Sequence, residues 1–579
     1  MKKLFLFSFL FILFVALAPT AQSQRYSQHE IDNFFGDRGE IYFKCMIHNR
    51  QDIHILTRVI SIDNVKGLEL YAYANRKEFD AFLTYGFDYT ILPHPGTLLS
   101  EAELNPFGYK GSLQPATTWN FYPTYDQYVA YMVGFTTTYP TLCKLDTVGT
   151  SMQGRLILAL KISRNPAIDE AEPEVLYTSS IHGDETTGYV LMLHLIDYLL
   201  SNYGTDAAVT NMLNTTAIFI NPLANPDGTY HGGNGSVSGA VRYNANGVDV
   251  NRNFPDPKVG PHPDGNAWQV ETQAWMAYAA ANHFNMSANF HGGSEVFNYP
   301  WDTWAKLNAD DDWWQFVGRE WADTVHKYGP AGYFTDEING ITNGYAWYEV
   351  NGGRQDYMNY FHNCREVTVE LSYDKLMLAT LLPSYWNYNF HTFLNYITES
   401  HYGFNGIVTD TVTDQPLAAK VFIALHDKDF TEVYSSLPTG FYARPIAQGN
   451  YNVTFSAPGY FSKTITNVVS TKWATTILNV QLRPLTYGMQ DKVVTSLLVY
   501  PNPSDGKFKL ILPEYPANPS SCSVQVINTL GSVVYTAEIN PEPGNTVVNI
   551  SIPDLQTGLY FLKFNSGYRI YLDKLIIKR

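Results

Sequence analysis

The spacing of apolar and polar residues changes character three times along this chain. From about Ser27 to Pro95, Glu40 to Ile47, Leu68 to Ala74 and Asp88 to Leu92 read as strands, while Gln51 to Val59 and Arg76 to Tyr85 read as helices. That order, with short turns, predicts a small α/β unit of the split βαβ kind. A Pro- and Gly-rich stretch, Pro93 to Pro115, follows it. From about Thr117 to His401 strands are predicted at Arg155 to Ile162, Glu174 to Ile181, Thr216 to Asn221, Met286 to Phe290 and Arg365 to Leu371. Helices are predicted at Tyr125 to Tyr139, Thr187 to Tyr203, Glu271 to Phe284, Trp313 to Tyr328 and Tyr385 to Ser400. The alternation predicts an α/β body with a mixed, largely parallel sheet flanked by helices. Between Leu223 and Trp268 runs a long Gly/Asn/Pro-rich segment, and irregular loops of that length usually serve function. From Phe404 onward, short alternating strands predict two small β-sandwiches, Phe404 to Leu482 and Ser496 to Arg579.

Composition narrows the class. Of 579 residues, 45% are hydrophobic and 15% aromatic, enough for large packed cores and unlike a disordered chain. The formal charge of −16 argues against a nucleic-acid partner and suits cationic substrates. Met1-Lys2-Lys3, the apolar run Leu4 to Leu17 and the small residues after it read as a secretory signal. No apolar run of spanning length occurs, so no stable membrane span is expected. Cys45, Cys143, Cys364 and Cys522 are too scattered for a disulfide scaffold or a CxxC metal site. At most two bridges can form, with Cys143 and Cys364 the pair considered.

The chemistry concentrates around Thr178 to Gly188. His182 and Glu185 fall where a predicted strand gives way to a helix, and loops there present side chains at the carboxyl edge of a sheet. Zinc accepts this N/O donor mixture, and a catalytic zinc takes three protein ligands and keeps one position open. His291 ends another apolar strand and precedes Gly292-Gly293, which places it at the same edge as the third ligand candidate. In Glu366-Val367-Thr368-Val369-Glu370-Leu371 the alternation puts Glu366, Thr368 and Glu370 on one face. If that face looks at the metal, Glu370 takes a proton from a water that the metal acidifies. Arg242 and Asp249-Val250-Asn251-Arg252-Asn253-Phe254 lie in the long loop. A guanidinium fork binds both oxygens of a carboxylate and stabilises a developing oxyanion.

His182-Gly183-Asp184-Glu185, the segments Asn244 to Pro255 and His291 to Asp302, Trp347 to Gly353, and Cys364 to Leu371 together resemble the zinc metallocarboxypeptidases. The likeness is to the regulatory branch with carboxypeptidases N, E and D in particular. The resemblance implies a carboxypeptidase-like fold and one Zn2+ per catalytic domain, held by His182, Glu185 and His291. It implies that Asp249 orients the first histidine and that Glu370 is the general base. Arg242 would polarise the scissile carbonyl, while Asn251, Arg252 and Tyr348 would grip the terminal carboxylate. Asp302 stands where members that remove Lys or Arg carry a pocket acid, and Gln355 fits the same branch. Arg354 and Glu295 depart from the pattern expected there.

The flanks carry likenesses of their own. The segment opening with Asn405-Gly406-Ile407-Val408-Thr409-Asp410 is similar to the transthyretin-like sandwich of the regulatory branch. Tyr500-Pro501-Asn502-Pro503, Gly558-Leu559-Tyr560 and a basic end are similar to the C-terminal sorting domain of type IX secretion. The N-terminal unit is similar in pattern to the prodomains of digestive carboxypeptidases, which the regulatory branch lacks. The expected order is a signal peptide (1–23), a prodomain-like unit (25–95), a linker (96–116) and a catalytic domain (117–401). A transthyretin-like sandwich (402–484) and a sorting sandwich (494–579) complete it. The expected protein is a carboxypeptidase acting on peptide and protein C-termini and preferring terminal Lys or Arg. Type IX machinery would carry it through the periplasm of a Gram-negative, Bacteroidetes-like cell to the surface or medium. Rival readings are a same-fold zinc amidase acting on cell-wall peptides and a catalytically silent binding or adhesion protein.

Overall fold

The computed structural model describes residues 26–107, 118–485, 492–493, 497–512, 522–539, 546–566 and 569–579. The expected signal peptide and much of the expected linker lie outside these residues. The chain separates into two compact units, 1–484 and 485–579.

The first unit begins with strands β1 (Glu40–Met46), β2 (Ser61–Lys66), β3 (Glu69–Asn75) and β4 (Tyr89–Leu92). They form an antiparallel sheet in the order β2-β3-β1-β4 with helices Gln51–Leu56 and Arg76–Leu83, the split βαβ arrangement. Asn75 and Glu78 close a capping box at the start of Arg76–Leu83. The apolar pattern did not show β2. Its sequence breaks alternation because Asp63 is an extra residue, the register with β3 jumping between Ile62 and Asn64. Such a bulge bends a strand and re-aims a side chain.

The body contains β5 (Cys143–Thr150), β6 (Leu156–Ile162), β7 (Glu174–Ser179), β8 (Ala217–Asn221), β9 (Met286–His291), β10 (Ser294–Tyr299), β11 (Ile341–Asn343) and β12 (Arg365–Ser372). Their order is β11-β10-β12-β9-β7-β8-β6-β5. The central strands β12, β9, β7 and β8 run parallel, while β10 and β6 turn antiparallel on either side. Strands buried on both faces read as continuous apolar runs, which makes β7, β8 and β9 legible and hides the edge strands β5 and β11; β10 is internal and buried, but Ser294, Glu295 and Asn298 break its apolar run. The helix Thr187–Asn202 buries most of its circumference, and Tyr177, Phe290 and Phe393 meet edge to face beneath it.

Cys143 and Cys364 are separate buried thiols, so the Cys143–Cys364 bridge does not form. Cys143 opens β5 and Cys364 immediately precedes β12, with β9, β7, β8 and β6 between those strands. That spacing is several times the reach of a disulfide.

From Gly403 two sheets face each other around Phe404, Val421, Tyr442, Val453 and Phe455. Buried charge fastens this sandwich to the body. The Arg444 guanidinium, fully buried, donates to Asp310 Oδ1 at 2.8 Å and Asp427 Oδ1 at 2.6 Å. Arg365, the first residue of β12, donates to the same Asp310 at 2.9 Å and to the Thr431 carbonyl. The second unit, taken by itself, stacks a five-stranded and a three-stranded sheet around one apolar core including Val524, Leu562, Phe564 and Leu575.

Removing one partner of a buried ion pair leaves uncompensated charge. Arg444→Ala should therefore destabilise the first unit by about 3 kcal/mol, seen as an earlier urea transition; an unchanged transition would show that the clamp contributes nothing.

Candidate active site

Because β7 and β9 are adjacent and parallel, their carboxyl ends open at one edge. The chain leaves β7 through Ser180, whose φ is 56° and whose hydroxyl donates to the Glu185 carbonyl at 2.8 Å. Glu185 N donates to the His182 carbonyl at 3.2 Å, closing a tight loop before the helix Thr187–Asn202. Within this loop Gly183 lies against the backbone of Gly228 and Thr229, where a Cβ would collide. The loop turns His182 and Glu185 inward, both buried. His291 ends β9 and stands in register with Glu370 of β12.

These placements bring donor atoms of His182, Glu185 and His291 within 4.8 Å of one another. His182 Nδ1 lies 3.0 Å from Glu185 Oε1 and 3.1 Å from His291 Nδ1, which in turn lies 2.7 Å from Glu185 Oε2. Two imidazole nitrogens facing one another across a carboxylate form an N2O donor set that suits zinc. His182 Nε2 donates to Asp249 Oδ1 at 3.1 Å, which leaves Nδ1 as the free donor. Burial pushes His291 down to about 4, so its ring is neutral, the form that binds a metal. This is the one such cluster among the described residues.

Glu370 is buried, and its Oε2 has no hydrogen-bond partner. Burial, then the neighbouring Glu185 carboxylate, pushes its carboxyl well above the usual range. An unpaired buried carboxyl is costly as structure, and such groups cluster at functional sites. Arg242 Nε donates to Asp249 Oδ2 at 3.2 Å and its Nη1 to Glu185 Oε1 at 3.1 Å. Arg252 is buried beside Asn251 with its Nε unpartnered. Asp302 is buried; its Oδ1 accepts from Gln355 Nε2 at 2.9 Å and Asn298 Nδ2 at 3.0 Å. Burial raises the Asp302 carboxyl to about 7. Gln355 is itself fixed by β12, its Oε1 accepting from Thr368 N at 2.6 Å. A pocket of about 30 Å³ is lined by His182, Glu185, His291, Arg242, Asn251, Arg252, Tyr348, Asp302 and Glu370 together. Of the two residues that broke the expected pattern, Arg354 turns away to pair with Glu366 at 2.9 Å. Glu295 accepts from Phe334 N at 3.0 Å.

Two charged residues that sequence reasoning missed complete the site. The bulged Asp63 enters from the N-terminal unit: its Oδ1 accepts from Lys375 Nζ at 2.6 Å and Arg242 Nη1 at 3.2 Å. Lys375, buried just beyond β12, also donates to Glu185 Oε1 at 2.8 Å and the Gly292 carbonyl at 2.8 Å. On either side of Asp63, Arg252 Nη2 donates to the Ile62 carbonyl at 2.8 Å and Asn64 Nδ2 to the Gly293 carbonyl at 3.3 Å. The Tyr348 hydroxyl donates to the Asp63 carbonyl at 3.3 Å. More contacts seat the unit: Tyr73 Oη donates to Asp184 at 2.6 Å, and Glu40 accepts from Arg242 N at 2.7 Å and Tyr243 N at 3.0 Å. The only sequence signal for Lys375 was its place five residues after Glu370, and for Asp63 the broken alternation of β2.

Comparison with known proteins agrees with this geometry. A family model described as zinc carboxypeptidase matches residues 128–392, and one described as secretion system C-terminal sorting domain matches 498–578. The chain is 39% identical over 356 residues to carboxypeptidase D of Anas platyrhynchos, covering 58% of this chain and 25% of that one. It is 34% identical over 383 residues to the carboxypeptidase N catalytic chain of Mus musculus, covering 59% and 82%. The match thus spans about a quarter of the length of the carboxypeptidase D relatives. The crystal structure of carboxypeptidase A from Helicoverpa armigera superposes with a TM-score of 0.50 at 18% identity, over 61% of this chain and 96% of that one. At that identity the likeness speaks to the fold alone.

Asp63→Asn takes the carboxylate from between two buried cations, and hydrogen bonds to charged groups are worth about 1.5–3 kcal/mol. Amide hydrogen exchange over residues 61–66 should accelerate at least about tenfold in that variant; exchange at the parent rate would show that Asp63 does not hold the segment in place.

Proposed function

The chain belongs to the zinc carboxypeptidase family, and on that premise we propose a secreted exopeptidase that hydrolyses the last peptide bond of peptides and proteins, favouring terminal Lys or Arg. One observation carries the reading: the three metal-capable donors and the unpaired Glu370 carboxylate meet in one pocket with Arg242, Arg252 and Asp302.

His182, Glu185 and His291 would hold zinc, with Asp249 fixing the His182 ring. When bound, zinc supplies Lewis acidity to the attacking water and to the scissile carbonyl. Arg252, whose Nε has no partner here, takes the substrate's terminal carboxylate with help from Asn251 and Tyr348. This contact measures where the chain ends and so makes the enzyme an exopeptidase. Arg242 stabilises the carbonyl oxygen as charge develops on it. The Glu370 carboxylate, whose proton affinity burial raises, takes a proton from the attacking water and returns it to the departing amine as the C–N bond breaks. The products are the shortened chain with a new carboxylate and a free amino acid. Asp302 lies where a cationic side chain of that last residue would find its counter-charge, while an apolar one would leave the acid unpaired.

In the form described, β2 fills the cleft. The Ile62 carbonyl and the Asp63 carboxylate occupy Arg252 and Arg242, the two guanidinium groups assigned to the substrate. Turnover therefore requires the N-terminal unit to move away, and the residues 96–117 that follow it are the place where a cut would release it. The sorting domain match supports the reading of export by type IX machinery through the periplasm.

Two outcomes test the chemistry, both on enzyme cut within 96–117. Glu370→Gln should keep stoichiometric zinc while kcat falls about 10³-fold; parent-like turnover would remove Glu370 as the base. Asp302 titrates near 7, so below that pH it is neutral and offers a terminal Lys nothing, and above it the carboxylate attracts the cation. The ratio of kcat/KM for Lys-ended over Leu-ended peptides should rise from about pH 6 to about pH 8 and lose this slope in Asp302→Asn. A flat ratio in the parent enzyme would take Asp302 out of the specificity.

A further inference from the structure

The opposite edge of the central sheet holds a second cleft, of about 280 Å³. Its walls come from the segment leading into β7, the turn before β9, the turn before β12 and the sandwich at 433–441. All three of those strands begin there and run towards the metal-capable cluster. The six residues of β7 put the two edges about 20 Å apart, so this cleft shares no wall with the active site.

The cleft is acidic, and its acids are unequal. Asp169 pairs with Lys161 at 2.8 Å, Glu170 pairs with Arg164 at 2.9 Å, and Glu174 accepts from His283 N at 2.9 Å. Glu172 is 9% exposed, lines the cleft, and among the described residues its carboxylate has no hydrogen bond or ion pair, the charges of Arg164 and Lys161 reaching it only from beyond pairing distance. Burial, then the adjoining Glu170, raises it to about 7. A carboxyl in that position gains from any cation that enters, because the cation offsets its desolvation. The remaining lining distinguishes the kind of cation. Only one carboxylate is unpaired, and among the described residues no second metal-capable cluster exists, which disfavours a divalent ion. Phe284, Phe361, Leu437 and Pro438 give the cleft an apolar wall, Phe361 and Leu437 each about half exposed. A single negative charge beside an apolar wall matches a cation on a hydrocarbon stem.

We propose that this cleft is a binding site for an organic monocation, an alkylguanidinium or alkylammonium group, with Glu172 as its counter-charge and the wall at Phe361 and Leu437 taking the stem. Lysine and arginine side chains are of this chemistry, whether free or in a polypeptide. The assignment is independent of the reaction proposed at the other edge.

The test is calorimetric titration of the full chain with butylguanidine at about pH 8.5, where Glu172 is ionised, using Asp302→Asn to remove the acid of the active-site pocket. One site with a dissociation constant of about 1 mM is expected. Adding Glu172→Gln should weaken it at least about tenfold, with a thermal transition no lower than the parent's, because the change removes a buried charge and breaks no pair. The neutral isostere N-butylurea should not bind. Where Asp302→Asn does not fold, the parent chain, whose active-site cleft β2 fills, should show the same one site and Glu172→Gln alone none. Equal binding with and without the Glu172 carboxylate, equal binding of the urea, or no butylguanidine binding would each overturn the proposal.

Discussion

The Arg242 guanidinium is the group on which the active-site region depends. A buried cation survives only where carboxylates and hydrogen bonds replace its water. Here the replacements come from three separated parts of the chain: Asp249 beside it in the long loop, Glu185 in the loop after β7, and Ser61 with Asp63 from the N-terminal unit. Lys375 lies alongside and shares both Asp63 and Glu185. Two buried cations among three carboxylates fix the positions of the metal-capable donors, and they also make the N-terminal unit part of the charge balance. Withdrawing Asp63 uncovers positive charge facing the pocket, which is what an incoming peptide carboxylate and carbonyl require.

The positions of the metal-capable donors were legible because they follow from strand ends. His182 and Glu185 after β7, and His291 at the close of β9, had to share an edge once those strands were parallel neighbours. Glu370 followed from alternation along β12, although that strand is buried on both faces rather than half exposed. The missed residues have physical reasons. Asp63 sits on a bulge, which destroys the period that reveals a strand. Lys375 lies past a strand end, where no period applies, and its role appears only when Asp63 and Glu185 are in place. The cysteine pairing failed because sequence spacing carries no information about how many strands intervene.

The two edges of one sheet divide the labour of the first unit. Its carboxyl edge collects the long loop, the loop after β7 and the end of β9 around a closed, densely paired pocket. Its amino edge meets the β-sandwich, where Arg365 at the start of β12 and Arg444 share Asp310. Because Arg365 opens the strand that Glu370 later occupies, the sandwich braces the element carrying the proposed base. Fixing such a strand by buried charge at one end leaves the other end free for chemistry.

The central claim is that a metal-dependent site reads the free end of a polypeptide once the N-terminal unit has left. Mass analysis of a mixed peptide set, with free and amidated C-termini, tests it on chain cut within 96–117, with and without a chelator. The account predicts stepwise loss of single residues from free ends only, abolished by the chelator. Cuts within the peptides, equal loss from amidated ends, or cleavage that persists after chelation would contradict it.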